Sequence, residues 1–175
     1  MKSNTLNFGI IGNCQSSALI NEDSSIDWCC LPQFDSASVF AKILDTEKGG
    51  NFKIECVEKY NTSQKYIDNT SILVTKFDDG ENSFELIDFM PRYQKENGSF
   101  YSPPEIIRFI KLIKGKPKLK VLYDPKLEYA LGNTNTYVKE EFIVSVFDEK
   151  RYGTLYLYTD LDKNYILERN DIEID

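Results

Sequence analysis

The chain lacks histidine altogether, which excludes several kinds of site at once. Ser-His-Asp and Cys-His nucleophile systems need an imidazole base, and many zinc sites need it as a ligand. Acid–base chemistry within the chain would therefore depend on carboxylates, tyrosine, lysine or cysteine. The four cysteines have neither CxxC nor zinc-ribbon spacing, so we expect no metal and no cofactor.

Long apolar runs and an excess of basic residues are also missing. No stretch approaches the roughly 20 apolar residues of a membrane span, and Met1–Gln15 has no apolar run of the kind found in signal peptides. A net charge of −7 leaves no overall basic face for a phosphate backbone. The sequence therefore predicts a cytoplasmic protein with reduced cysteines that contacts neither membrane nor nucleic acid.

What the chain does contain is a recurring alternation of apolar and polar residues with period two. Its 175 residues, of which 41% are hydrophobic and 13% aromatic, suffice for one domain with a real core. Short β-branched and aromatic runs are separated by Gly-, Asn- and Pro-containing turns, which is typical of an antiparallel sandwich. The predicted strands are 18–20, 26–31, 52–56, 72–77, 84–90, 106–113, 119–123, 142–147 and 154–159.

The sequence therefore predicts an all-β fold, an antiparallel β-sandwich with one short helix. We place the helix at Ser36–Leu44, with Asp35 as its N-cap. A hairpin through Lys114–Pro117 is predicted to join the strands on either side of it. Tyr93–Pro104 is predicted to be an exposed loop.

The last residues begin a new alternation at Ile166–Ile174 that stops without a turn or a polar tail. This pattern predicts that the chain is a piece of a longer one, with an unpaired strand edge in this region. Exposed edges and apolar faces promote self-association, so we expect a homo-oligomer for the isolated chain.

The densest sequence signal lies between Gly9 and Gly50, and further blocks follow in the same order. The blocks are IGNC at 11–14, SIDWCCLP at 25–32, FDS at 34–36, VFAKILD at 39–45, GG at 49–50, DFMPR at 88–92, IIR at 106–108 and YDP at 123–125. Together they resemble the amino-terminal region of bacterial and archaeal family 15 glycoside hydrolases, the glucoamylase- and trehalase-type enzymes. Gln33 stands where that family commonly has arginine.

The resemblance implies a β-sandwich (supersandwich-like) that precedes a catalytic (α/α)6 barrel in the same polypeptide. The family's acid and base glutamates, which perform inverting hydrolysis of α-glucosides, lie in that barrel. Residues 1–175 are then the amino-terminal domain alone. By this reading the chain itself is not an enzyme, its parent is an inverting glycoside hydrolase, and trehalose or an α-glucan is the sugar concerned.

Two sets of residues could carry function within the chain. Asp27, Asp35, Asp88 and Glu105 are carboxylates near aromatic residues, but a cap, paired strand ends and a solvated strand start explain them more simply. We predict that the loop after the second motif block docks on the barrel or borders the active site. Its candidate residues are Pro32, Gln33, Phe34 and Asp35.

Two alternatives stay open at this point. A carbohydrate-binding module would grip sugars through exposed aromatic rings, for which Tyr93, Phe100 and Tyr101 are the better candidates and Trp28 the poorer one. A stand-alone interaction domain would have no connection with sugars.

Overall fold

The computed structural model describes residues 7–148 and 153–175, and strands dominate them. One short helix, α1 (Lys163–Glu168), and a 3-10 turn at Glu128–Ala130 complete the described secondary structure. None of the helices among these residues is long and apolar enough to cross a membrane. In chain order the strands are β1 (Phe8–Gly12), β2 (Ser17–Asn21), β3 (Ile26–Cys30), β4 (Ser38–Phe40), β5 (Asn51–Cys56), β6 (Asn61–Tyr66), β7 (Leu73–Asp78), β8 (Ser83–Phe89), β9 (Tyr93–Gln94), β10 (Phe100–Tyr101), β11 (Ile107–Lys114), β12 (Lys118–Asp124), β13 (Thr134–Lys139), β14 (Phe142–Phe147), β15 (Thr154–Tyr158) and β16 (Ile172–Glu173).

These strands form an antiparallel β-sandwich, as predicted. One layer is a seven-stranded sheet in the spatial order β1-β2-β3-β5-β12-β16, with β4 paired to β3. The other layer is divided into a four-stranded sheet, β11-β8-β7-β6, and a three-stranded sheet, β13-β14-β15. Strands β9 and β10 pair only with each other among the described residues and form a small separate hairpin.

The core lies between the two layers and consists of two neighbouring clusters. In the first cluster, Ile11 and Ile20 of the large sheet share buried space with Leu73 of the four-stranded sheet and Phe147 of the three-stranded sheet. The second cluster has the same three-way composition and adds Ile166 from α1. Strands such as β8 and β12 supply alternate residues to these clusters, so the period-two pattern of the sequence predicted their buried faces correctly.

The two strands predicted on either side of Asn21–Ser24 are confirmed as β2 and β3, which pair antiparallel through that turn. The other predicted strands are confirmed with shifts of at most one residue at their ends. Residues 93–104 are largely exposed, as predicted, although the loop contains the β9–β10 hairpin.

The helix predicted over Ser36–Leu44 is wrong. The chain there forms β4, which pairs with β3, and then continues through two turns. Val39 and Phe40 are both buried, and the Val39 carbonyl accepts a hydrogen bond from the Lys126 backbone N–H at 2.9 Å. A helix of this length is marginal by itself, and β-branched and aromatic residues favour a strand once a partner strand is available. Asp35 therefore lies exposed in a loop before β4 and is not a helix cap.

The hairpin predicted through Lys114–Pro117 is also wrong. Strand β11 pairs with β8 in the four-stranded sheet, whereas β12 pairs with β5 in the opposite layer. Gly115 adopts a positive φ of 76°, and the next backbone N–H, that of Lys116, donates to Asn82 Oδ1 at 2.9 Å. This contact holds the connection against the β7–β8 turn, and the chain crosses between layers instead of folding back.

The strand pattern predicted at Ile166–Ile174 is partly wrong. Ile166 belongs to helix α1, whose N-cap Asp162 accepts hydrogen bonds from the backbone N–H groups of Asn164 and Tyr165. The short strand β16 follows, pairs with β12 and forms one edge of the large sheet. The capping aspartate, which the strand-like alternation concealed, accounts for the helix.

Candidate functional site

The loop that contains Pro32, Gln33, Phe34 and Asp35 connects β3 to β4, and all four of these residues are exposed. The Phe34 ring is 59% exposed, although its backbone is fixed. The Phe34 N–H donates to the Gln15 carbonyl at 2.9 Å, and the Gln33 N–H donates to Ser36 Oγ at 3.1 Å. The loop thus presents a large apolar side chain from an ordered backbone.

The side chain of Asn13 connects the segment next to this loop with the segment around Pro91 and Pro103. It is buried, and its Oδ1 accepts the backbone N–H groups of Gln15 and Ser16, both at 3.1 Å. Its Nδ2 donates to the Pro103 carbonyl at 2.8 Å and to the Pro91 carbonyl at 3.3 Å. One side-chain amide therefore satisfies four backbone groups from three stretches of the chain: residues 15–16, Pro91 and Pro103.

Between those two prolines the chain makes the β9–β10 hairpin, which carries exposed aromatic residues. Tyr93, Phe100 and Tyr101 each expose half or more of their side chains. The guanidinium carbon of Arg92 lies 4.0 Å from the centre of the Phe100 ring, within the range of a cation–π contact. We use the name loop end for residues 14–15, 31–36 and 92–101, since Asn13 and Gln15 hold these segments together.

A second polar centre lies inside the sandwich, around Arg108 on β11. Its side chain is 4% exposed, and that of its partner Asp88 on β8 is 0% exposed. The guanidinium grips the carboxylate with two bonds, Nε to Oδ1 at 2.8 Å and Nη2 to Oδ2 at 3.2 Å. A bidentate pair of this kind is the strongest form of such a contact.

Arg108 also joins the two layers of the sandwich. Its Nη1 donates to the Phe52 carbonyl at 2.7 Å and its Nη2 to the Ser24 carbonyl at 2.5 Å, both in the large sheet and its β2–β3 turn. The Phe52 ring lies 4.8 Å from the guanidinium carbon. The two carbonyl oxygens and the face of the Phe52 ring offset the free-energy cost of removing the Arg108 cation from water.

The other candidate carboxylates have simpler surroundings. Asp27 is buried and accepts hydrogen bonds from Ser25 Oγ at 2.6 Å and Asn21 Nδ2 at 2.9 Å, beside a polar surface hollow of about 230 Å³. Asp35 and Glu105 are exposed. The prediction of paired polar groups at strand ends is thus confirmed for Asp27 and Asp88, while the partner Arg108 was not predicted. A charged residue at an inward position of an alternating strand is the sequence signal that would have found it.

The thiols are free, and burial raises the pKa of three of them, Cys29, Cys30 and Cys56, which lowers their reactivity. Desolvation raises the pKa of Cys29 to about 12, with a further increase from the neighbouring Cys30, and desolvation likewise raises the pKa of Cys56 to about 12. Cys14, in contrast, is exposed at the loop end. Within residues 7–148 and 153–175, no group of three or more Cys, Asp or Glu side chains is arranged to hold a metal ion.

A cluster of aromatic rings covers the outer face of the three-stranded sheet. Phe142 packs against Tyr156 and Tyr158 with ring centres 5.2 and 5.4 Å apart, and Tyr158 is 71% exposed. Trp28, in contrast, is only half-buried on the central strand β3 and pairs across the sheet with Leu19. The sequence did not distinguish these two environments, because both strands have strongly apolar character.

Comparison with known proteins gives one consistent result. Residues 4–148 match the family model described as trehalase-like, N-terminal. The chain is 38% identical over 149 residues to trehalase 2 of Sulfolobus acidocaldarius, covering 85% of this chain and 23% of that protein. It is 36% identical over 125 residues to the trehalase of Thermoplasma volcanium, covering 69% of this chain and 19% of that protein.

The aligned region is thus about a fifth of the length of these curated relatives. No solved structure matches the chain significantly. The family match spans both the loop end and the Arg108 centre, and the resemblance carried by the sequence motifs agrees with it. The chain belongs to the family of trehalase-like N-terminal domains.

Proposed function

We propose that this chain is the non-catalytic amino-terminal domain of a family 15 glycoside hydrolase of trehalase type. In that role it packs on and supports a catalytic (α/α)6 barrel in the same polypeptide. The observation that carries the proposal is the match of most of the chain to only about a fifth of each trehalase. The remaining part of such a polypeptide is large enough to hold the barrel, and trehalose is the substrate that the names of the relatives favour.

The surroundings of the carboxylates support a structural role. Inverting hydrolysis needs an acid and a base about 6.5–9.5 Å apart across a sugar pocket, and the acid needs a raised pKa. Asp88 is instead sealed against Arg108, and Asp27 is bonded to its own turn. We therefore expect residues 1–175 alone to release no glucose from trehalose, maltose, isomaltose or longer glucans.

The loop end is the proposed contact with the barrel. Phe34 offers an exposed ring on a fixed backbone, so little conformational entropy is lost when a partner covers it. Pro32, Gln33 and Asp35 flank Phe34 in the chain and are also exposed, which supports an apolar anchor bordered by polar positions.

The test compares two variants of residues 1–175 in their binding to the separately expressed remainder of the trehalase-type polypeptide. Phe34→Ala should weaken the contact between the domains by about 2 kcal/mol, measured by co-purification and titration of the separately expressed parts. Leu44→Ala is the matched control, since Leu44 is also exposed but lies on a turn beyond β4. Equal effects of the two substitutions would refute the assignment of the docking loop.

A second candidate function is carbohydrate binding by the domain itself, which the aromatic face around Phe142, Tyr156 and Tyr158 favours. Exposed rings can stack on the apolar faces of sugars. Retention of residues 1–175 on immobilised starch, lost in Tyr158→Ala, would support this function. Equal electrophoretic mobility of residues 1–175 in gels with and without starch or maltooligosaccharides would count against carbohydrate binding.

The proposal includes a cytoplasmic location. The four free thiols support it, since exposed cysteines such as Cys14 stay reduced in that compartment. Fractionation of cells that express the whole polypeptide tests the location directly.

A further inference from the structure

The divided layer of the sandwich leaves a cleft between two unpaired strand edges. Strand β11 is the last strand of the four-stranded sheet, and β15 is the last strand of the three-stranded sheet. Within the described part of the chain, β11 pairs only with β8, and β15 pairs only with β14. Ile107 and Ile110 of β11 and Leu157 and Tyr158 of β15 line the same cleft, so the two edges border one space.

The floor of this cleft is the hydrophobic core itself. Phe52, Ile54 and Val121 of the large sheet line it, and so does Ile166 of α1. Ile54, Val121 and Ile166 belong to the second core cluster. These three side chains are already almost fully buried, whereas Phe52, Ile110 and Leu157 stay partly exposed in the cleft and are the apolar groups that an occupant would cover.

The cleft suits a polypeptide strand better than a small ligand. Arg108 is the charged residue in its lining, and that guanidinium is already bonded to Asp88 and to two backbone carbonyls. The walls offer backbone N–H and C=O groups along both edges, which are the groups that an added strand uses.

Because the cleft has an unpaired strand edge on each side, only some kinds of strand can pair with both edges. An edge strand of a second folded copy has one free side, because its other side is occupied within its own sheet. A strand inserted between β11 and β15 needs both sides free. A segment without a sheet of its own meets this requirement, and a docked second copy does not.

We propose that one extended, apolar segment from the remaining part of the trehalase-type polypeptide inserts between β11 and β15. The inserted strand joins the four- and three-stranded sheets into one continuous layer and covers the partly exposed side chains of Phe52, Ile110 and Leu157. This inference rests on the proposed function, since it takes its partner from the larger polypeptide. It adds a second contact, on the side of the sandwich, to the docking loop at Pro32–Asp35.

Hydrogen exchange of individual backbone amides tests the insertion, with residues 1–175 alone compared with the whole polypeptide. Amides of β11 and β15 should exchange at least tenfold more slowly in the whole polypeptide. Strand β6 is the matched control, because it is the other edge of the four-stranded sheet and should exchange equally in both.

Substitutions in the whole polypeptide then test the side chains of the cleft. Ile107→Glu and Tyr158→Glu, which place charge in the lining, should reverse the added protection of β11 and β15. Ile113→Glu and Tyr156→Glu are the controls, since both residues are exposed on the same strands but lie outside the lining. Protection that persists in Ile107→Glu and Tyr158→Glu would overturn the proposal.

The outcomes separate this inference from the proposed function. Protection of residues 31–36 without protection of β11 and β15 would refute the inserted strand and leave the supporting role intact. Equal exchange of both regions in the two forms would refute both. Concentration-dependent protection of β11 and β15 in residues 1–175 alone would identify a second copy as the occupant and overturn the proposal.

Discussion

The Arg108 centre and the loop end differ in where their polar and aromatic groups find partners. Arg108 and Asp88 are buried, and the guanidinium donates hydrogen bonds to one carboxylate and two backbone carbonyls of the same chain. At the loop end the backbone is held from below by Asn13, while Phe34, Tyr93 and Phe100 are directed to solvent. The first arrangement is complete within the domain, whereas the second leaves large apolar surfaces uncovered. The contrast separates residues that maintain the fold from those available to a partner.

The sharpest test of this contrast is Arg108→Met in residues 1–175. It should lower the free energy of unfolding by about 3–5 kcal/mol, because Asp88 is left buried without its cation. Lys111→Met on the same strand is the control and should cost less than about 1 kcal/mol, since the Lys111 side chain in its pair with Glu85 is more than half exposed. Urea unfolding followed by tryptophan fluorescence gives both values. A loss below 1 kcal/mol for Arg108→Met would mean that the centre contributes little to stability.

The next test concerns the floor of the loop end. Asn13→Ala should cost about 1–3 kcal/mol, because the backbone groups of Gln15, Ser16, Pro91 and Pro103 lose their partner. Asn97→Ala removes an exposed acceptor from the Ser99 N–H in the β9–β10 turn and should stay within about 0.5 kcal/mol. Thermal unfolding of the two variants side by side checks the difference, and equal midpoints would contradict it.

A smaller effect is expected at an exposed carboxylate. The Asp79 carboxylate accepts hydrogen bonds from the Asn82 backbone N–H, which has the largest effect, and from the Asn82 side-chain amide and the Glu81 backbone N–H. These bonds lower the pKa of Asp79 to about 2. A pKa lowered by folding contributes stability above the unfolded value near 3.8, and that stability is lost as the pH falls toward 2. Asp79→Asn should therefore lower the melting temperature slightly at pH 6 and much less at pH 2. An equal decrease at both pH values would rule out this charge-based account.

The smallest effect is expected for Phe34→Ala in residues 1–175 alone. Because the ring is 59% exposed there, its removal should change the free energy of unfolding by no more than about 0.5 kcal/mol. Chemical unfolding of the isolated chain checks this value. A loss above 2 kcal/mol would move Phe34 from the set of available surfaces to the set of residues that stabilise the fold.

The sequence predicted the local strand pattern well and the long-range pairing poorly. Alternation located strands such as β5 and β12, because one face of each is buried. It did not reveal that β11 and β12 lie in different layers. A turn that contains Gly115 and Pro117 is compatible both with a hairpin and with a connection from one layer to the other. Polar β6 escaped detection because it is an exposed edge strand whose pairing with β7 is made by the backbone.

The candidate site was predicted in the same uneven way. The exposure of Phe34 at a motif loop agrees with the docking loop expected from the sequence. The joining of that loop to the β9–β10 hairpin depends on Asn13, whose four contacts reach residues up to 90 positions away. Such contacts leave no periodic signal. The alternation of β11 can reveal an inward charge at Arg108, but not that its partner is Asp88, 20 positions away.

The bonds from Asn13 to Pro91 and Pro103 also determine how freely the segment between them can vary in length. Since both ends of the β9–β10 hairpin are anchored at the same amide, residues added near Gly98 lengthen a closed loop without moving its base. Each doubling of a flexible loop costs only about 0.6 kcal/mol in closure entropy. The hairpin can therefore accept insertions at its tip while the sandwich beneath it keeps its shape, and the reach of this surface can be changed without redesigning the domain.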